Sequence, residues 1–191
     1  MRQPSVFDRE QIIDAGLEVI RRSGYERLTA RAVAGRLGAS TMPIYTNIGS
    51  IDELRVAVRR RAHEVLRSFQ QKPYTGERLL DLAFGYVAFA RDEPQLFRFL
   101  FLGARGAGER PSTDSLRERF FGEFGEQGEE AGALSGLRAE AQERVIHHAW
   151  IFTHGLAMLV SSGNYPADDE EILRRLRIAG GAFYSYEGGF E

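Results

Sequence analysis

No cysteine occurs in the 191-residue chain, which removes disulfides, thiol catalysis and thiolate metal sites at once. A bilayer-spanning helix needs an apolar run of about 18 residues or more, and none is present. The opening stretch, MRQPSVFDREQII, is broken by charge before a signal-peptide core can form. A cytoplasmic location with no membrane partner is therefore expected. Alternating apolar and polar runs between hairpin turns are missing, so strands are not expected. Tandem repeats and low-complexity tracts are missing too. What is present, 43% hydrophobic and 27% charged residues, suffices for a buried core in one domain or two small ones.

Charge divides the chain. Residues 1 to 67 carry 12 Arg against 8 Asp plus Glu, a net +4, while residues 68 to 191 carry 13 Lys plus Arg against 19 Asp plus Glu, a net −6. A basic N-terminal part on an acidic remainder suits a module that meets a polyanion while the rest does something else.

Helical periodicity runs through most of the sequence. Ile12, Ile13, Leu17, Val19 and Ile20 keep near-helical spacing between Asp8 and Ser23, and Gly24 supplies a stop. Thr29 reads as the N-cap of a second, short helix ending at Gly38, and Ser40 as the cap of a third. Ser50 with Glu53 forms a capping-box pattern that opens a longer helix to about Gln70. Further helices are expected at about 76 to 91, 94 to 102, 137 to 162 and 168 to 185. GARGAGERPSTDS, residues 103 to 115, reads as a loop, and a helix interrupted by Gly122, Gly125 and Gly128 follows it. The expected fold class is all-α.

Pro43 sits inside the third of these helices. With Ser40 as N-cap it falls at the third helical position, where the backbone N–H has no intrahelical acceptor, so proline removes no helical bond. A short helix, a glycine turn and a second short helix make a helix-turn-helix, whose second helix enters the DNA major groove by its N-terminal residues. Thr41, Met42 and Thr46 are expected on its outer side and Ile44 on its inner side.

LTARAVAGRLGASTMPIYTNIGSIDEL resembles the DNA-binding domain of the TetR (tetracycline-repressor-like) family of bacterial transcription regulators. It joins a leading helix ending RRSGYERLT, the turn VAGRLGAS, a recognition helix ending in tyrosine and the capped fourth helix GSIDEL. Farther on, AWIFTHG resembles the Trp…His-Gly signature of one subgroup's C-terminal domain. The resemblance implies a three-helix DNA-binding domain at residues 1–50, a connecting helix at 51–71 and a ligand-binding and dimerisation domain at 72–191. It implies a homodimer on double-stranded operator DNA, repressing until a small-molecule effector binds. No cofactor, metal site or catalytic residue is expected.

By the same resemblance Thr29 and Tyr45 contact phosphate, and Arg31, Thr41 and Met42 face the groove, with Ser40, Thr46 and Asn47 completing the interface. An arginine at such a position can bond a guanine edge with both arms of its fork. Arg31 read without the resemblance is a solvated surface charge, and Tyr45 a core aromatic. Many family members have lysine where this chain has Ile51, and phenylalanine where it has Ile48. The missing lysine removes one expected phosphate contact, lowering the salt-dependence slope by about 0.9. Arg27 and Arg36 are candidates to replace it.

The second half is rich in aromatics. Phe84, Phe89, Phe97, Phe101, Phe121 and Trp150, with His147 and His154 as polar anchors, are the expected ligand-binding residues. A large apolar cavity with sparse polar groups is what a lipophilic or aromatic effector needs; the plainer reading is an aromatic core. A metal site is disfavoured by spacing, because the seven residues from His147 to His154 climb about 10 Å of helix. Only Glu143 and His147 could cooperate. A helical protein-interaction module without DNA binding is the alternative, told apart by its lack of salt-sensitive duplex binding. For dimerisation, Val145, Ala149, Phe152, Leu156 and Leu159 line one side of the first C-terminal helix. Ile172, Leu176, Ala179 and Phe183 line one side of the second, and an intramolecular core could use the same residues.

Overall fold

The computed structural model describes residues 7–103, 134 and 136–188. Among them are eight α-helices, one short 3₁₀ turn and no strand. Most of the loop expected at 103–115, and the glycine-interrupted helix after it with Phe121, lie outside the described residues. The described residues form two compact units, 7–67 with 93–103 and 68–92 with 134 and 136–188.

The first unit is built from helices whose ends are written locally. α1 (Arg9–Ser23) opens on a capping box: the Asp8 carboxylate accepts the Gln11 N–H at 2.8 Å, and the Gln11 side chain accepts the Asp8 N–H at 3.0 Å. It ends at Gly24, whose φ of +84° suits glycine. A 3₁₀ turn, Tyr25–Arg27, leads to α2 (Ala30–Leu37), where Thr29 Oγ1 accepts the Ala32 N–H at 3.2 Å. α2 closes in a Schellman turn. Gly38 takes φ +65°, its N–H donates to the Gly35 carbonyl at 3.3 Å, and the Ala39 N–H donates to the Ala34 carbonyl at 2.9 Å.

That turn corrects one expectation. α3 (Met42–Asn47) has Thr41, not Ser40, at its N-cap, and no side chain caps it. The Schellman turn uses the backbone through Ala39, so the helix starts one residue later than its best capping residue suggests. Pro43 lies within the first two helical positions rather than at the third, where its missing N–H is equally harmless.

α4 (Ile51–Gln70) begins with Ser50 Oγ accepting the Glu53 N–H at 3.1 Å. Leu54, Val58, Ala62 and Leu66 form its fully buried inner line. α1 approaches it at Gly16, where an added Cβ would meet Val58 Cγ2 at 2.8 Å. Glycine permits that contact. Arg61 of α4 pairs with Glu10 and with Asp14 at 2.9 Å, joining the same helices on the outside.

α6 (Pro94–Phe101) also packs on α1 and belongs to the first unit, a long-range pairing that sequence order alone assigns to the second domain. Glu93 meets Arg21 at 2.9 Å, and the Arg59 guanidinium lies over the Phe99 ring at 4.7 Å while donating to the Leu100 carbonyl at 3.1 Å.

The second unit holds α5 (Arg78–Asp92), α7 (Ala139–Ser161) and α8 (Asp169–Gly188), with the last residues of α4. α5 is its centre: from Phe84 to Ala90 every residue is buried. α5 packs against both α7 and α8. It crosses the end of α4 at Gly85, where a Cβ would fall 2.5 Å from the Phe69 carbonyl oxygen. The buried Asp81 carboxylate ties down the loop before α5, accepting from the Thr75 N–H and hydroxyl at 2.7 Å each and from the Gly76 N–H at 3.2 Å.

Candidate nucleic-acid interface and ligand cavity

In the first unit, burial separates adjacent residues of a short helix. Ile44 is completely buried, as expected, and so is Val33 of α2. Met42 and Tyr45, three residues apart on one face of α3, are 68% and 52% exposed. A six-residue helix that turns a methionine and a tyrosine outward keeps apolar surface that folding does not use. Arg31, in the first turn of α2, is exposed and has no ion pair among the described residues. Ser40 is exposed; Thr41, Thr46 and Asn47 are half-buried. Thr29 is exposed with its oxygen accepting the Ala32 N–H, which leaves its hydroxyl proton available to an acceptor outside.

Two of these side chains carry structural duties that the sequence does not announce. Asn47 Nδ2 donates to the Phe7 carbonyl at 2.6 Å and its own carbonyl accepts from Arg9 at 3.3 Å, fastening the start of the described chain to the end of α3. Arg36 lies 3.6 Å from the Glu18 carboxylate, which also takes Arg21 at 2.9 Å and Arg22 at 3.6 Å. The hydrogen bond from Arg21, with the charges of all three arginines, holds the Glu18 carboxyl below its usual range. Arg27 has no ion pair among the described residues, so of the two candidates to replace the missing lysine it is the one whose charge is uncommitted.

In the second unit the Trp…His-Gly stretch lies in the middle of α7. The Trp150 indole stacks on the His154 ring, centroids 6.0 Å apart at 17°, and the His147 ring lies 5.9 Å from Trp150, tilted by 49°. His154 Nδ1 meets the hydroxyl of the fully buried Tyr86 at 2.9 Å, linking α7 to α5. Burial pushes the His154 pKa down and the Tyr86 pKa well up, so neutral partners share this bond. Phe84 packs edge-on against Tyr74 at 4.5 Å and Phe89 against Phe69 at 5.7 Å. Phe97 and Phe101 pair with each other at 4.9 Å within the first unit.

A cavity of about 550 Å³ lies elsewhere in the second unit, between α5, α7 and α8. Its apolar wall includes Leu80 and Ala83 of α5, Val145 and Phe152 of α7 and Leu176 of α8. None of the seven described residues expected to bind a ligand lines it. Those residues instead pack against other aromatic rings. A cavity is space that side chains fail to fill, so small residues mark it: Ala83, Ala149 and Gly180 border it. That signal is visible in sequence only once the helices are known to face each other.

Among the described residues no group of His, Asp or Glu side chains could hold a metal ion, and no helix is long and apolar enough to cross a membrane.

Residues 79–177 match the model of the tetracyclin repressor-like C-terminal domain, more than half the chain. The chain belongs to the TetR family. An uncharacterised HTH-type transcriptional regulator of Mycobacterium tuberculosis is 25% identical over 167 residues, covering 84% of this chain and 73% of that protein. A crystal structure from Mesorhizobium loti, described as a TetR-family transcriptional regulator, covers 93% of this chain and 95% of its own with a TM-score of 0.50 at 16% identity; it supports the all-α fold.

As a TetR-family transcriptional regulator the protein is a DNA-binding molecule. The matched region covers nearly all of α5, all of α6 and α7, and the first nine residues of α8, so it includes parts of all three helices that border the cavity.

Proposed function

We propose that this TetR-family regulator is a homodimeric repressor that leaves its operator when a small molecule occupies the second unit. The observation that carries the reading is the contrast at α3: Met42 and Tyr45 lie open on either side of a completely buried Ile44. Arg31, Thr41 and Met42 face the base edges in this reading, and Thr29, Ser40, Tyr45 and Thr46 meet phosphate. Asn47 acts mainly by holding α3 to the segment before α1. Residues 1–50 thus serve as the DNA-binding domain, 51–71 as the connecting helix and 72–191 as the effector and dimerisation part, with α6 packed on the DNA-binding side.

Dimerisation uses the outward faces of α7 and α8. Four of the residues read from periodicity, Val145, Leu156, Ile172 and Leu176, are buried within the protomer. Both helices are apolar on more than one side, and spacing alone does not say which side meets the protomer's own core. The exposed line is Ile151, Gly155 and Leu159 on α7 with Ile178 and Ala182 on α8; Ile151, Leu159 and Ile178 are 51%, 49% and 59% exposed. Small residues among large ones let helices of two copies approach closely. A twofold axis then sets two recognition helices about 34–36 Å apart, and a shift of a few ångströms prevents both from docking. α4 is one unbroken helix from Ile51 to Gln70, its residues to Arg67 in one unit and the rest in the other. Tilting it is the simplest way for an effector to change that spacing.

The test is selection of bound fragments from the source genome, then titration of the selected duplex against random duplex over a salt series. Specific, salt-steep binding that weakens when neighbouring-gene metabolites are added supports the reading. Binding that ignores salt, or no duplex binding at all, makes the chain a helical interaction module instead.

A further inference from the structure

The described residues contain four buried polar or charged side chains: Gln70, Asp81, Thr153 and Glu187. Asp81 caps the loop before α5, Glu187 pairs with Arg144 at 2.7 Å, and Gln70 is engaged as well. Thr153 differs. It is 2% exposed, it borders the cavity, and its side chain has no hydrogen bond among the described residues. A buried hydroxyl without a partner is costly, and it is not even bonded back to its own helix.

The charged residues of the cavity's lining are Glu77, Arg78 and Arg177. Arg78 and Arg177 contribute two guanidinium groups to the lining and Glu77 one carboxylate, which lies 3.1 Å from Arg177; Arg78 is engaged as well. Glu77 and Arg177 are exposed and Arg78 half-exposed, so these groups mark the mouth while Thr153 marks the interior. The glycine at 180 adds space: a Cβ there would meet nothing within 4 Å. Glycine inside a helix is unfavourable relative to alanine, so the gap is kept at a cost in helix stability.

We propose that this cavity binds an anionic amphiphile, with an apolar body against the aliphatic wall, one oxygen on that body bonded to Thr153, and an acidic head group met by Arg78 and Arg177. The volume, about 550 Å³, lies within the range of small-molecule sites, about 300–1,000 Å³. Acidic head groups of several kinds, carboxylate, sulfonate or phosphate, share the chemistry that a guanidinium recognises. The cavity's part in regulation rests on the effector reading above; its ligand chemistry does not.

The experiment is calorimetric titration of the full-length protein with decanoate, 1-decanol and decyltrimethylammonium below their aggregation concentrations. Decanoate should bind about tenfold or more tightly than the ammonium ion of equal chain length. Arg177→Gln should weaken decanoate about threefold to tenfold and leave 1-decanol unchanged. Gly180→Leu, which fills open space, should abolish binding of decanoate and decanol while helicity and the unfolding midpoint are kept. In a series of monohydroxydecanoates at least one positional isomer should gain about threefold to tenfold over decanoate, and Thr153→Val should erase that gain. If Gly180→Leu does not fold, the Thr153→Val comparison decides alone.

Equal affinity for the ammonium ion overturns the proposal, as does undiminished decanoate binding in folded Gly180→Leu protein, or a hydroxyl series with no gain. Should Gly180→Leu alter the monomer–dimer equilibrium and not probe binding, a second copy covers the cavity and the proposal falls. Operator binding is measured separately with and without decanoate and its best hydroxylated isomer. Amphiphile binding without operator release sinks the effector reading and leaves the ligand assignment intact; release by probes that do not enter the cavity does the reverse.

Discussion

The two units of this regulator reach stability by different routes. In the first, helix ends are fixed within a few residues of sequence: Asp8 with Gln11, Thr29 with Ala32, Gly38 with Gly35, and Ser50 with Glu53. Three of its helices, α2, α3 and α6, have eight, six and eight residues, and α3 has only Ile44 fully buried. In the second, α7 and α8 are 23 and 20 residues long, and the stabilising contacts join residues far apart in the chain, such as Tyr86 with His154 and Glu77 with Arg177. The lesson is that an exposed face can be small and sparsely buried if local caps set it, whereas a cavity survives only where long-range packing holds its walls apart.

The most damaging single change should be Trp150→Ala. Trp150 is 7% exposed, stacked on His154 and tilted against His147, so its removal should cost about 3–5 kcal/mol of stability, read from denaturant unfolding. Because Trp150 does not border the cavity, the variant, kept at a temperature where it is folded, should still bind operator. If stability hardly changes, the Trp…His-Gly stretch is not the packing centre of the second unit, and the contrast drawn above fails there.

Next in size is Arg31→Ala, which should lose about 1–3 kcal/mol on the specific operator and much less on random duplex. Parallel titrations distinguish the cases. Equal losses on both duplexes would make Arg31 a backbone or surface charge, and the reading head would owe its specificity to α3 alone.

Tyr86→Phe should cost about 0.5–1.5 kcal/mol by removing one hydrogen bond between α5 and α7. The same pair predicts a pH dependence. His154 has its pKa lowered by burial, so below the unfolded histidine value of about 6.5 the unfolded state binds the proton more readily. Stability contributed by the neutral ring is present above that value and is lost as pH falls toward the folded pKa. Unfolding midpoints compared between pH 7.5 and pH 5 should fall more for the wild type than for His154→Asn. Identical pH profiles would place the acid sensitivity in carboxylate ion pairs, such as Arg144–Glu187 or Arg21–Glu18, instead.

The smallest effect expected is that of Ile51→Lys. It should tighten all duplexes alike and steepen the salt slope by about 0.9, without touching the second unit. An unchanged slope means that residue 51 does not face the DNA backbone.

Much of this fold was legible before any coordinates. Ile12, Ile13, Leu17 and Ile20 repeat at helical spacing and are all buried, because periodicity records which side of a helix avoids water. Thr29, Gly24 and Gly38 mark helix ends because a cap or a left-handed residue acts only on its neighbours. The sequence motif from Leu28 to Leu54, through VAGRLGAS, pointed to the family for the same reason: a helix-turn-helix is a local structure. Ser40 misled by one residue, since the Schellman turn at Gly38 and Ala39, not the best capping side chain, decides where α3 can begin.

What sequence could not determine is which apolar faces meet. The pairing of α6 with α1, the burial of Ile172 and Leu176 inside the protomer while Ile178 stays exposed, and the packing of Phe89 on Phe69 and of Tyr86 on His154 are all long-range outcomes. So is the cavity. Its walls come from three helices separated by up to 100 positions, as the Glu77–Arg177 pair measures, and its space is the residue of packing that no single helix specifies. Thr153 in sequence is one more polar residue on an apolar helix; it acquires a missing partner only when α5, α7 and α8 close around it. Caps and periodicity belong to the chain itself, whereas an unfilled volume belongs only to the assembled fold.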